Sequence, residues 1–256
     1  MKNVIFIPNI DLGDNRNKAY SYSINSWKQF CDKYDCELIM WEDLLFPVEH
    51  MKITWQRYYL FDILEANNID YDQVLMVDAD TIVHPDCPNF FELTNHEYAV
   101  VPNNGSFEWV SRSMDGFSNL LFGGETLFDV WDYVNCGFQI VNKKHKEFFE
   151  HVREYYMNDK DNIQSAIDTV KAGTDQTIMN FLLRKQNIKL KYLPICYNLQ
   201  DLTSKQLLFL HSQMWFKDEL IFKNCGYVFH FNAIPPNQLN RDANYWIKRT
   251  YEELYE

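Results

Sequence analysis

The first hundred residues alternate between short apolar runs and stretches with helical spacing. Val4-Ile5-Phe6-Ile7 has the character of a buried strand, and Tyr20, Ile24, Trp27, Cys31 and Tyr34 then recur on one helical face. That spacing predicts an amphipathic helix over Asn17 to Tyr34. Glu37 to Trp41 reads as a second strand, and Thr54 as the cap of a helix reaching about Asn67. Val74-Leu75-Met76-Val77 is too short and too uniformly apolar to be anything but a buried third strand, ending at Asp78. Strand and helix in this rhythm predict βαβ units on a parallel sheet.

Past Asp78 the alternation loosens. Strands are expected at Tyr98 to Val101, Tyr133 to Val141, Lys189 to Leu193 and Tyr227 to Phe231. Helices are expected over His145 to Met157, over Asp175 to Gln186 and from about Asp242. This order predicts a mixed sheet in the second half. The Gly- and Ser-bearing stretch from Asn103 to Gly124 is too long for an ordinary connection and is expected to be either a functional lid, the preferred reading, or a mobile region. No internal repeat, linker or low-complexity tract interrupts the chain.

Composition narrows the function classes. With 256 residues and 46% apolar content, the chain can bury a large core within one α/β domain. Its 36 acidic and 24 basic side chains give a formal charge of −12, the opposite of what a phosphate-backbone binder needs, so nucleic acid is not expected as a partner. The six cysteines show no CxxC pair and no zinc spacing, which fits reduced core thiols. The N-terminal apolar run is too short for a signal peptide and no stretch reaches membrane-spanning length, so a soluble, cytoplasmic protein is expected.

Asp78-Ala79-Asp80 carries the candidate chemistry. In so acidic a chain the triplet needs a control, and Asp70-Tyr71-Asp72 and Asp159-Lys160-Asp161 supply it. Both have the same spacing but lie in polar stretches, where solvated carboxylates explain them. Only Asp78 and Asp80 terminate an apolar strand, and open α/β sheets bind ligands beyond the carboxyl ends of their strands. Two hard oxygen ligands there suit Mg²⁺ or Mn²⁺ shared with phosphate oxygens. A haloacid-dehalogenase-like phosphatase also uses D-x-D after an apolar strand, but it continues D-x-D-x-T after the first strand. Here Ile82 occupies the Thr position and the motif follows the third strand. A non-catalytic carbohydrate-binding module is the remaining alternative, and it leaves the other polar constellations unexplained.

Those constellations are Asn135 and Gly137 within the apolar run Tyr133 to Val141, Gly173-Thr174-Asp175-Gln176 opening a helix, and His230 in Tyr227-Val228-Phe229-His230-Phe231. Singly, each has a bland explanation: a bulge, an N-cap, a core histidine. In this order, with Arg57 on the helix before the D-x-D strand, they resemble the GT-A glycosyltransferases. Glycosyltransferase family 8, the galactosyltransferase and glycogenin-like group, is the nearest match. The resemblance spans most of the chain and is most specific from Gln73 to Leu93.

It implies a GT-A fold with a mixed central sheet flanked by helices. Residues 1–102 would form the nucleotide-binding half, and residues 103–256 the donor-sugar and acceptor half. Asp78, Asp80 and His230 would hold the metal, with Mn²⁺ favoured over Mg²⁺ by the imidazole. Asp78 would also lie near the ribose, Pro8 and Asn9 would lie against the base, and Arg57 would face the donor phosphate or sugar. Asn135, Gly137, Asp175 and Gln176 would line the donor sugar, Asp175 recognising hydroxyls and Gln176 facing the anomeric carbon.

The implied reaction moves a sugar, with retention of configuration, from a nucleotide-diphosphate donor, UDP favoured, to a glycan, glycolipid or protein hydroxyl. Under inversion, Asp175 would be the candidate base. Trp109, Phe117 and Phe122 are candidates for an acceptor platform. Family 8 commonly follows the late His with a Gly and then Lys-Pro-Trp, whereas this chain reads Asn232-Ala233-Ile234-Pro235-Pro236. Either Arg241 or Lys248 from the last helix is expected to substitute for the missing Lys, or the metal is expected to carry more of the leaving-group charge. Thr177 also stands where a second acid is frequent.

Overall fold

The computed structural model describes residues 1–103, 105–208, 220–235 and 241–256. Pro236, the end of the divergent tail, lies outside the described residues. Six strands form the main sheet: β1 (Lys2–Pro8), β2 (Glu37–Trp41), β3 (Tyr71–Val77), β5 (Tyr98–Pro102), β6 (Val134–Val141) and β7 (Leu190–Tyr192), in the order β2-β1-β3-β6-β5-β7. β1 runs parallel to β2 and β3, β6 runs antiparallel to β3 and β5, and β7 runs parallel to β5, so the sheet is mixed as expected.

Alternation along the central strands explains the layers. Val4, Phe6, Val74 and Met76 face one cluster of buried side chains, while Ile5, Ile7, Leu75 and Val77 face another. The first cluster takes Phe61 of α3 (Leu60–Ala66), Phe117 of α4 (Phe107–Leu121), Phe149 of α5 (Lys146–Val170) and Phe181 of α6 (Asp175–Lys185). The second takes Trp27 of α1 (Tyr20–Tyr34) and Trp246 of α7 (Ala243–Tyr255). Helices therefore cover both faces, which is why these strands read as continuous apolar runs.

Three expectations need correction. The helix expected from Thr54 is broken into α2 (Ile53–Gln56), a 3-10 turn over Arg57–Tyr59, and α3; Lys52 is the N-cap and offers no side-chain bond. The helix expected to stop near Met157 continues to Val170 through a break at Asp159, whose φ of −133° leaves the helical region.

The third correction is the lid. Apart from residue 104, which is not described, Asn103 to Gly124 is mostly the regular helix α4, capped by Ser106, whose hydroxyl accepts from the Trp109 N–H at 3.2 Å. Its Gly serves packing rather than flexibility. A Cβ on Gly116 would sit 2.5 Å from Val170 Cγ2, so glycine is what lets α4 approach the end of α5. Phe117 and Phe122 are buried, and Phe122 stacks on Phe181 at 4.3 Å, so neither can form an acceptor platform.

A separate two-stranded ribbon, which the sequence did not suggest as a unit, pairs β4 (Thr81–Val83) with β8 (Val228–His230). Its antiparallel register sets Thr81 opposite His230. Among the described residues no helix is long and apolar enough to cross a membrane.

The start of α5 contains a pH-sensitive cap. Asn142 accepts from the Lys144 N–H at 3.1 Å while buried His145 Nδ1 accepts from the Asn142 N–H at 3.1 Å, a reciprocal pair. Accepting requires a neutral imidazole, and burial pushes the His145 pKa from 6.5 down to about 4. Between those values the unfolded chain binds the extra proton, so stability falls as pH drops from the upper to the lower value and changes no further below it from this group. The full effect is about 3 kcal/mol at most. His145→Gln keeps an acceptor that does not titrate. Urea unfolding at about pH 7 and about pH 4.5 should show a smaller stability loss for the variant than for the wild type.

Candidate active site

The site forms where β3 ends beside β6. Asp78 follows the last residue of β3, and its N–H donates to Gly137 C=O of β6 at 3.1 Å. The turn beyond it is fixed from below: Thr81 Oγ1 donates to Asp78 C=O at 2.7 Å, and Trp27 Nε1 donates to Thr81 Oγ1 at 2.9 Å. β8 then comes alongside, Phe231 N–H donating to Asp80 C=O at 2.9 Å and His230 N–H to Leu199 C=O at 2.9 Å. These backbone bonds place His230 beside two carboxylates from which it is separated by about 150 residues of chain.

Each of Asp78, Asp80 and His230 offers a ligand atom, and these atoms lie within 4.8 Å of one another. His230 Nε2 is 3.2 Å from Asp80 Oδ1 and 3.6 Å from Asp78 Oδ2. His230 is 2% exposed, and among the described residues its Nδ1 has no hydrogen-bond partner while its Nε2 meets only the two carboxylates, within ion-pair distance but outside hydrogen-bond geometry. A buried imidazole left unsatisfied is costly, and two carboxylate oxygens aimed at the same space make a divalent cation the natural occupant. Burial lowers the His230 pKa, but Asp80 and Asp78 outweigh it and raise it. Burial likewise pushes the Asp80 carboxyl up, while His230 and Arg16 outweigh that and leave it below its usual value. A proton on the imidazole and a metal are thus alternative ways of neutralising the same carboxylates.

Gly137 makes the cluster possible. A Cβ there would lie 2.4 Å from His230 Cε1 and 2.7 Å from Asp78 Oδ2, so only glycine lets β6 pass this close.

The two oxygens of Asp78 have different partners. Oδ2 faces His230, while Oδ1 accepts from Arg57 Nη1 at 2.7 Å. Arg57 Nε is also 4.0 Å from Asp175 Oδ2, and the Arg57 side chain is only 13% exposed, so it is a buried bridge rather than a surface helix arginine. Burial opposes its charge, but Asp78 and Asp175 outweigh it and raise its pKa. Asp175, at the first turn of α6, accepts from Thr174 Oγ1 at 2.9 Å and from Tyr58 OH at 3.3 Å. Burial raises its pKa, with Arg57 and Thr174 working against the rise.

α6 is tied to β6 at the same level. Gln176 Oε1 accepts from Asn135 Nδ2 and from the Cys136 N–H, both at 3.0 Å. Asn135 Oδ1 accepts from the Gly137 N–H at 2.8 Å and from Asn198 Nδ2 at 3.0 Å. Asn180 bonds both backbone groups of Val134 at 2.9 Å. These side chains hold the N-terminus of α6, with its partial positive charge, toward the carboxylates.

Two lobes open from the cluster and share Arg16, Thr54, Arg57, Asp78 and Asp80. The smaller, about 140 Å³, is lined by Pro8, Asn9, Ile10 and Tyr20. The larger, about 400 Å³, is lined by Asn135, Gly137, Asp175, Gln176 and His230. Every residue that the resemblance assigns to the metal, the nucleotide or the donor sugar therefore lines one lobe or both.

No family model matches the sequence and no curated protein matches it. Solved structures do match. A glycosyltransferase involved in the glycosylation of the major capsid of PBCV-1 superposes over 97% of this chain and 99% of its own, with a TM-score of 0.60 at 10% identity. The apo form of the glycosyltransferase GlyE of Streptococcus pneumoniae TIGR4 superposes over 99% of this chain, with a TM-score of 0.54 at 16% identity. The match covers 62% of the pneumococcal chain. The fold is that of the GT-A glycosyltransferases.

Within this GT-A fold one cation escaped sequence analysis. Arg16, in the polar loop between β1 and α1, places Nη2 3.8 Å from Asp80 Oδ2. That loop has neither periodicity nor motif, so nothing in the sequence singles it out. The two cations expected to replace the missing Lys do not line either lobe. Lys248 pairs with Glu252 at 3.5 Å, and Arg241 lies over the rings of Tyr245 and Trp246 at 5.3 and 5.8 Å. Of the expected aromatic platform only Trp109 reaches the larger lobe.

Gly137→Ala tests the close approach. The added methyl must displace His230 or Asp78, so the variant should fold with about 1–3 kcal/mol less stability. Its Mn²⁺ affinity, followed by electron paramagnetic resonance, should fall about 10- to 100-fold. Unchanged Mn²⁺ affinity would show that these side chains do not share an ion.

Proposed function

We propose that this chain is a metal-dependent glycosyltransferase that moves a sugar from a nucleotide-diphosphate donor, UDP favoured, to an acceptor hydroxyl with retention of configuration. The observation that carries this reading is the Asp78–Asp80–His230 group at the junction of two lobes, its buried imidazole facing two carboxylates across a gap that an ion would fill. The GT-A fold supports it. UDP, retention and the likeness to family 8 rest on the sequence motifs.

In this reading the smaller lobe takes the nucleoside against Pro8 and Asn9, and the larger takes the donor sugar and the acceptor. The first lobe is lined only by residues before 102, and the second largely by residues after it. That division supports a nucleotide-binding half over 1–102 and a sugar and acceptor half over 103–256. Asp78 Oδ2, Asp80 and His230 Nε2 would hold Mn²⁺ or Mg²⁺, Mn²⁺ favoured by the imidazole. When bound, the ion supplies Lewis-acid stabilisation of the departing diphosphate.

The remaining work belongs to the chain. Asp175, held by Thr174 and Tyr58, accepts hydrogen bonds from donor-sugar hydroxyls. Asn135 and Gly137 line the sugar, and Gln176 faces the anomeric carbon. Arg57 keeps Asp78 Oδ1 occupied, so that Oδ2 remains directed at the metal position. The acceptor oxygen bonds to the anomeric carbon as the bond from that carbon to the phosphate oxygen breaks. The bonding pair leaves with the diphosphate, which takes the acceptor's proton. Asp175, already engaged by two hydroxyls and near Arg57, fits substrate recognition better than proton abstraction.

The phosphatase alternative has no support in this arrangement. The D-x-D follows β3 rather than the first strand, and Oδ1 of its first Asp is bonded to Arg57.

Thermal unfolding with nucleotides and nucleotide-sugars, in Mn²⁺ and in chelator, tests the proposal. At about 100 times Kd, one nucleotide family should raise Tm by about 5–10 °C, and only with the metal. Asp80→Asn should stay folded and lose that rise, because an amide cannot supply the ligand's charge. A metal-independent rise, or none, in folded wild-type protein would refute the proposal. Retention is tested separately: NMR of the product should show the donor's anomeric configuration, and the opposite anomer would exclude it.

A further inference from the structure

The site as described is short of positive charge on the diphosphate side. Among the described residues, three carboxylates, Asp78, Asp80 and Asp175, meet two guanidinium groups, Arg57 and Arg16, at the junction of the lobes. Without Arg16 that group carries about −2, and a divalent ion brings it only to about neutral, whereas a nucleoside diphosphate carries two to three negative charges near neutral pH. A protein cation that can reach phosphate oxygens is needed, and Arg57 is already bonded to Asp78 and largely buried.

We infer that Arg16 holds the donor's diphosphate. This rests on the proposed function above. The Arg16 side chain is 72% exposed, lines both lobes, and stands 3.8 Å from Asp80 Oδ2, beyond hydrogen-bond distance. A phosphate bound through a metal on Asp80 would lie within reach of its planar fork, which suits bidentate contact with phosphate oxygens.

The loop that carries it is built to stay in place. Asp14 Oδ1 accepts from the Arg16 N–H at 3.0 Å. Asn244 of α7 grips the loop on both sides, donating to Asn15 C=O at 3.2 Å and accepting from the Ala19 N–H at 2.9 Å. Asp14 of the loop itself and Asn244 of α7 thus hold a residue whose side chain is left largely exposed at the mouth of the site. Arg16 takes over the charge that a lysine after the late histidine would supply, and it does so from the opposite end of the sequence.

Opposite signs make the test decisive. Arg16→Gln removes a positive charge beside a metal ligand, so Mn²⁺ alone should bind equally well or more tightly. The same change should weaken nucleoside diphosphate binding by about 10- to 100-fold in Mn²⁺. The matching nucleoside monophosphate should weaken by less than about threefold, and Arg16→Lys should recover part of the loss. Thermal shift and calorimetry with UDP and UMP, and with the guanosine, adenosine and cytidine pairs, read this out on both variants.

If wild type binds a diphosphate and Arg16→Gln binds it equally, the inference is wrong and the proposed function stands. Equal losses for mono- and diphosphate, or weaker Mn²⁺ binding alone, would also overturn it by assigning Arg16 a structural role. If folded wild type binds none of the nucleotides in Mn²⁺, the proposed function fails and the inference with it.

Discussion

Asp78, Asp80 and Asp175 repel one another across the open end of the sheet, and the surrounding structure is organised around holding that charge. Two of the three carboxylates, on Asp80 and Asp175, are at most 5% exposed, so water cannot screen them well. Arg57 answers part of the charge by bridging Asp78 and Asp175, and the N-terminus of α6 contributes its partial positive end. What remains is concentrated on Asp78 Oδ2 and Asp80 beside an imidazole that meets them without hydrogen-bond geometry. Such a concentration is expensive in an apo protein and is relieved by a cation, which is why the site reads as a binding device rather than a stabilising ion network.

The fold supplies the means of gathering these groups. β3 delivers Asp78 and Asp80 at its carboxyl end, β6 runs antiparallel beside it with Asn135 and Gly137 at the same level, and the β4–β8 ribbon adds His230. Asn180 and Gln176 fasten α6 to β6, which fixes Asp175. Asp78, Asp80, Asn135, Gly137, His230 and Asp175 are therefore each set by a strand, by the turn that ends one, or by a helix terminus that is itself hydrogen-bonded to a strand. Rigid placement of this kind is what a metal site needs, since ligand positions must already be correct when the ion arrives.

Much of this was legible in the sequence because it rests on local pattern. The central strands announce themselves as apolar runs, and the D-x-D stands out because it ends one of them. What the sequence concealed depends on contacts distant along the chain. Thr81-Ile82-Val83 is too short to be seen as a strand, and only its pairing with Val228–His230 makes it one. The stretch that forms α4 reads as a loop because Gly116 and its serines resemble loop chemistry. The glycine is instead required by Val170, which is remote in sequence. Arg16 carries no signal at all, since an arginine in a polar loop acquires meaning only from the carboxylate that folding brings near it.

The most direct test of the central claim is a crystal structure of the protein grown or soaked with Mn²⁺, with anomalous data collected at the manganese edge. The account predicts an anomalous peak bonded to Asp78 Oδ2, Asp80 and His230 Nε2, with Arg57 still on Asp78 Oδ1. A peak elsewhere, or a histidine not bonded to the metal in a fully loaded crystal, would contradict it.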